Sequence, residues 1–220
     1  MHDNGPSQDL FVEVDHGPFM VDNNLFLSRT ALFDMSEGGA YVHNLFAGMV
    51  VHRPELGRET PFHKAHSTEV AGLSKIKGGD DRFYNNIFVG YDGLATYDDA
   101  AQQMHMAGNI FLKGAKNSKH ELNPLVLSDF DPKLKLNKEN GDTYLHITFD
   151  KTWAKEHSRK LITTELLGKT LIPDLPYKKP DGSPYLIDTD YLGAKRNTAN
   201  PFPGPFELSE GGKQVLKVWP

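Results

Sequence analysis

One short motif recurs four times and constrains this chain more than any other feature. Asp22-Asn-Asn-Leu-Phe-Leu, Val42-His-Asn-Leu-Phe-Ala-Gly, Tyr84-Asn-Asn-Ile-Phe-Val-Gly and Ala107-Gly-Asn-Ile-Phe-Leu each hold Asn, then Leu or Ile, then Phe. The motif asparagines are Asn24, Asn44, Asn86 and Asn109, spaced by 20, 42 and 23 residues. The middle spacing is either two units or one unit carrying an insertion. A period of about 20–23 residues suits stacked coils that each contribute short parallel strands. Identical positions then lie about 4.8 Å apart on neighbouring coils, and Asn side chains can bond along the stack. A leucine-rich repeat has a similar period, but its regularly placed leucines before the Asn are missing here. The expected fold is all-β, a parallel β-helix (β-solenoid).

The long spacing points to an insertion over residues 52–77, rich in charge and histidine. A long loop on a rigid coil is functional or mobile. Past about Lys116 the period fades. Residues 133–150 read as a hairpin turning at Asn140-Gly141, Thr152 to Leu167 has room for a short helix, residues 173–205 are turn-rich, and Lys213 to Trp219 alternate like a last strand. The chain reads as one domain, 1–220, with regular coils over 1–115 and irregular final coils, hairpin and cap over 116–220, because an open solenoid end needs covering.

Composition narrows the function classes. The chain has no Cys, which excludes disulfides and Cys-bound zinc. Its 24 basic and 29 acidic residues give a net charge of −5, which argues against a nucleic-acid backbone binder. Apolar runs are too short for a membrane-spanning helix. No nucleotide loop, nucleophile elbow or zinc-protease motif is present, so no cofactor is expected. The opening residues enter a strand-like run without signal-peptide features. That start fits a short polar lead on a cytosolic protein, or the C-terminal part of a longer chain, and the abrupt entry into the repeat favours the second. Cytoplasmic and exported locations both stay open, as does a homo-oligomer.

Several side chains could carry chemistry. Strand alternation places Phe11, Glu13 and Asp15 on one face, which is a reactive face or a solvated one. Matching Val12-Glu13-Val14 to Phe33-Asp34-Met35 gives an offset of 21 residues. That offset would stack Glu13 on Asp34 and set Glu37 beside His16. Acids on neighbouring coils lie about 5 Å apart, near the carboxyl separation of about 5–5.5 Å in retaining glycosidases. The alternative is an ordinary pair of surface acids. His43, His63 and His66 suit sugar-hydroxyl binding or plain loop structure; the His63/His66 spacing also allows metal, but no acidic third ligand is fixed by pattern, and none is expected. Asp80, Asp81 and Arg82 either clamp a polar ligand or pair with one another.

These strings carry a family resemblance. VEVDHGPFMVDNNLFLS, ALFDMSEGGAYVHNLFAG, TPFHKAHSTEVAG and DDRFYNNIFVG, with IDTDYLGAKR and PGPFE near the end, resemble glycoside hydrolase family 120, the β-xylosidases. The resemblance implies a right-handed parallel β-helix and a retaining double displacement on xylo-oligosaccharides. It makes Glu13 the acid/base by the LFVEV motif, and places the nucleophilic Asp about one coil upstream, before Met1. Asp34 is the alternative second carboxylate, and His16, Glu37, His43, His63, His66 and Arg82 are expected to bind substrate. The competing readings are a β-helix polysaccharide lyase, disfavoured by the acidic stacked positions, and a non-catalytic solenoid that binds glycans.

Overall fold

A computed structural model of the chain describes residues 7–208 and 210–220. The opening polar lead, residues 1–6, lies outside them. Three short strands make one rung: β1 (Gln8–Glu13), β2 (Phe19–Asp22) and β3 (Leu25–Phe26). The second rung is β4 (Thr30–Met35), β5 (Gly39–Val42) and β6 (Leu45–Phe46). The third opens with β7 (Met49–His52), leaves as the antiparallel hairpin β8 (Glu55–His63) and β9 (Val70–Ile76), and returns as β10 (Arg82–Tyr84) and β11 (Ile87–Val89). Two further rungs contribute β12 (His105–Ala107) with β13 (Ile110–Leu112), and β14 (Glu121–Leu122) with β15 (Leu125–Leu127).

The chain is all-β with parallel sheets. Its strands assemble into three, ordered β1-β4-β7, β2-β5-β10-β12-β14 and β3-β6-β11-β13-β15, with parallel pairing throughout. The spacing of 42 is thus one rung carrying a hairpin, because β5 pairs directly with β10.

The motif asparagines explain why the rungs stay in register. Between the second and third sheets the backbone turns through a left-handed residue: Asn23 (φ 54°), His43 (φ 54°), Asn85 (φ 58°) and Gly108 (φ 74°). The Asn that follows points inward. Asn44 Oδ1 accepts from the Asn24 backbone N–H at 2.9 Å and its side-chain amide at 3.3 Å. Asn86 Oδ1 does the same for Asn44 at 2.8 and 3.2 Å, and Asn109 Oδ1 for Asn86 at 2.9 and 3.0 Å. The side-chain amides of Asn44, Asn86 and Asn109 also donate to the carbonyls of Val21, Tyr41 and Phe83. Buried amides are stable only when paired, and here each rung pairs the next. On the fifth rung Pro124 takes the equivalent place, and the Glu121 carboxylate ends the ladder by accepting from the Asn109 backbone and side chain at 3.2 and 2.7 Å.

The apolar half of the motif divides between two cores. Phe26, Phe46, Phe88 and Phe111 stack inside the rungs with centroid separations of 5.0, 5.0 and 5.3 Å. The neighbouring Leu25, Leu45, Ile87 and Ile110 face the other way. The third sheet is therefore apolar on both faces, and its outer face needs cover. The C-terminal half supplies it. β16 (Lys135–Glu139) and β17 (Asp142–Phe149) form the expected hairpin, with Asn140 at φ 53° and Gly141 at φ 91° in its turn. Two single-turn helices follow, α1 (Trp153–Glu156) and α2 (Thr164–Leu167), flanking β18 (Ile162–Thr163); then come β19 (Leu186–Ile187) and β20 (Gly212–Trp219), which pairs with β17.

The apolar side chains of this half pack against two of the sheets. Leu145, Ile147, Phe149, Trp153, Phe202 and Phe206 pack on the outer face of the third sheet. Ile162, Leu167 and Tyr177 pack on Ala40 and Val42 of the second. The segment flanks the rungs, and on the last rung Leu122 and Val126 stay exposed.

Candidate functional site

The turn between β1 and β2 gathers several of the candidate residues. Gly17 there adopts φ 66°, and a Cβ on it would sit 2.2 Å from the Gly38 carbonyl oxygen. Glycine alone lets the first two rungs meet at this point. The contact carries His16 onto Glu37: His16 Nδ1 donates to Glu37 Oε1 at 2.6 Å, and Nε2 donates to the Thr60 carbonyl at 3.2 Å. Glu37 Oε2 accepts the Lys77 backbone N–H at 3.1 Å. A ring that donates at both nitrogens is an imidazolium. Burial pulls the His16 pKa down, but the hydrogen bond and charge of Glu37 outweigh it and hold it above its usual value of 6.5. The sequence offset placed these two side by side, and the structure brings them together. Their polar atoms are spent on each other, on Thr60 and on Lys77, so they tie two rungs to the hairpin instead of facing solvent.

A cleft of about 630 Å³ opens in front of this pair. Its walls are the Asp15–Pro18 turn, the hairpin tip from Pro61 to His66, and the segment from Leu175 to Tyr185. His63 and His66 line it and are exposed. Phe62 presents its ring edge-on to His16, with centroids 5.8 Å apart. Lys64, Lys178 and Tyr185 complete a wall of cations, a phenol and an aromatic ring. Such a mixture of flat apolar surface and convergent polar groups suits a polyhydroxylated ligand. Lys178 and Tyr185 were not singled out from sequence; their signal was the unusual length of the turn-rich stretch over 173–205.

Glu13 lies at the end of β1, exposed, with Arg58 Nη2 of the hairpin 3.0 Å from its Oε1. The expected stack of Glu13 on Asp34 does not form. The register pairs Val12 with Asp34 and Glu13 with Met35, one residue off the sequence match. A one-residue slip turns a side chain to the opposite face, so Asp34 points into the rungs, fully buried. There it accepts from Tyr97 Oη at 2.7 Å, from Ser36 N at 3.0 Å and from Ser36 Oγ. Asp81 is buried with it and accepts from Gly39 N at 2.8 Å. Burial raises the Asp34 pKa, against the hydrogen bonds from Ser36 and Tyr97. Burial and then the nearby charge of Asp34 push Asp81 well up.

Two further candidates are also interior. His43 is buried; its Nδ1 donates to the Gly204 carbonyl at 3.3 Å and its Nε2 accepts from Asn85 Nδ2 at 3.2 Å. That pattern needs a neutral ring, and burial, then the charge of Arg196, hold its pKa well below normal. Arg82 is buried against Tyr177 and donates to Asp80 Oδ1 at 2.7 Å and to the carbonyls of Leu167 and Lys169 at 3.1 and 2.6 Å. Its fork fixes the C-terminal segment to the rungs, where the sequence had placed it on substrate. Both corrections have one cause: the C-terminal half covers the outer face that the repeat alone leaves open.

Neither a family model nor a curated protein matches the chain. A solved structure described as "The complex structure of XylC with xylose" superposes on it with a TM-score of 0.88 and 36% identity. This chain is similar to XylC. The match covers 96% of this chain and 38% of the XylC chain, so the chain spans well under half of that protein's length. At that identity and coverage the likeness is one of sequence and fold together, and the bound xylose is XylC's own.

Proposed function

We propose that this chain forms part of a glycosidase acting on β-xylosides or related oligosaccharides. In this reading the rungs belong to a right-handed parallel β-helix. The single observation that carries it is the likeness to XylC, 36% identical over 96% of this chain and solved with xylose. Glu13 is the proposed acid/base: it is exposed at a strand end and held by Arg58. With Asp34 turned inward, the proposed nucleophile is a carboxylate outside these 220 residues. The cleft beside the His16–Glu37 pair is the proposed sugar-binding region, with His63 and His66 as its exposed polar groups.

In a retaining double displacement, Glu13 first protonates the leaving oxygen and then deprotonates the water that opens the glycosyl-enzyme. The test is Glu13→Ala in the active protein. Unactivated xylobiose should lose about 10²-fold or more in rate, and substrates with acidic aryl leaving groups should keep their first step. Azide, which needs no general base, should restore turnover and give a β-glycosyl azide, since two inversions return the starting configuration. Near-normal turnover of xylobiose by Glu13→Ala would remove Glu13 from the reaction.

A further inference from the structure

A second groove, of about 830 Å³, lies at a different corner of the rungs, after the third-sheet strands. Leu27, Ala47 and Val89 occupy equivalent positions on three successive rungs, two residues beyond the aligned Leu25, Leu45 and Ile87. On the fourth rung the equivalent position is Leu112, and the residue after it, Lys113, lines the groove. The groove therefore runs along the stacking direction for three rung spacings, roughly 14 Å. Its far wall is the stretch from Asp131 to Leu136, which contributes Leu134 and Leu136 to the floor. Tyr91 stands at the edge, 48% exposed, on a left-handed backbone (φ 58°) that limits where its ring can go.

The rim is cationic. Asp131 is pinned between Lys113 at 3.2 Å and Lys133 at 3.1 Å; the Lys133 backbone N–H, at 2.9 Å, and then the two ammonium groups hold its carboxyl down at about 2. Lys135, exposed on the same wall, is not engaged by a carboxylate among the described residues. Three ammonium groups against one carboxylate leave a local positive field on a chain whose net charge is −5. The floor is apolar and straight, the edge carries an exposed aromatic ring, and the rim is positive. That combination fits an extended ligand with flat apolar faces, hydroxyl edges and an anionic group.

We propose that this groove binds an acidic oligosaccharide, a β-linked xylose chain bearing a uronate, at a site separate from the cleft of His63 and His66. Pyranose faces would lie on the leucines and on Tyr91, and the carboxylate would meet Lys135 and the Lys113–Lys133 pair. The preference for a sugar chain rests on the function proposed above. The extended, anionic character rests on the groove itself.

Calorimetry on the chain, with three ligands at low salt, tests this: a glucuronate-bearing xylotetraose, neutral xylotetraose, and an acidic peptide of similar length. The acidic sugar should bind tightest. Tyr91→Ala should weaken it about tenfold, a loss typical of one aromatic contact. Lys135→Gln should weaken it several-fold, and added salt should erode the charged part. His63→Ala, in the other cleft, should leave this binding unchanged. Equal affinity for the neutral sugar would overturn the anionic assignment. Binding of the peptide alone would overturn the occupant. Loss of binding in His63→Ala with none in Tyr91→Ala would place the ligand in the cleft and overturn the groove. Xylose binding at the cleft, scored through His63, reads the proposed function independently, so the two ideas can fail separately.

Discussion

His16 Nδ1 lies 2.6 Å from Glu37 Oε1 across 21 residues of chain, and both side chains are 1% exposed. A buried ion pair contributes little by its mere presence, but breaking one side leaves an uncompensated charge. The pair therefore sets the stability of the junction between the first two rungs and the hairpin.

The His16 pKa is raised in the folded state. Its stabilising contribution is therefore full below the ordinary value of 6.5 and is lost as pH rises through the folded value. Proton NMR should find His16 titrating above 6.5 in the wild type, and Glu37→Gln should move that titration down. Glu37→Gln should cost about 3 kcal/mol in urea unfolding at pH 6. A neutral His16 at pH 6 would contradict the imidazolium.

Asn86 sits mid-ladder with its oxygen accepting from Asn44 and its amide donating to Tyr41 and Asn109. Asn86→Ala should cost about 3 kcal/mol or more, because it strands several buried polar groups. Asn24→Ala, at the part-buried first position, should cost about 1 kcal/mol. Equal losses in the two variants would show that the ladder does not carry the register.

Glu121 ends the ladder, and burial lifts its pKa from 4.5 to about 7, against the bonds from Asn109. A raised carboxyl pKa means that the folded state holds a proton the unfolded chain has released. Stability is thus full below 4.5 and declines as pH rises through about 7, a loss on the order of 3 kcal/mol. Glu121→Gln should flatten that decline, while its amide, able to accept from only one of the two Asn109 donors, should lower the melting temperature at pH 5. An unchanged pH profile in Glu121→Gln would assign the slope to another group.

Inside the rungs the charge of Asp34 acts on the buried Asp81. Asp34→Ala should destabilise by about 3 kcal/mol, since it strands Tyr97 Oη and the Ser36 groups. Asp81→Asn removes one buried charge and keeps an acceptor for Gly39 N, so its urea midpoint at pH 8 should equal or exceed that of wild type. In the active protein, Asp34→Asn should change stability more than the chemical step. A selective loss of glycosyl-enzyme formation at normal stability would restore Asp34 as a reacting group.

The repeat was legible because it is local. Asn24, Asn44, Asn86 and Asn109 must each present an amide at the same bend, so the same three residues recur, and the stacked ladder follows from them. The Asn140-Gly141 turn was legible for the same reason: two left-handed residues in a row restrict the choice of side chain. Tertiary structure decided the rest. Whether Asp34 meets Glu13 or points inward hangs on one residue of register between β1 and β4, which the packing of the whole rung sets. His43 and Arg82 became interior groups only because Gly204 and Leu167, distant in sequence, fold back onto them. Local pattern fixes which way a side chain leaves its own strand. What waits on the far side depends on chain that the pattern does not contain.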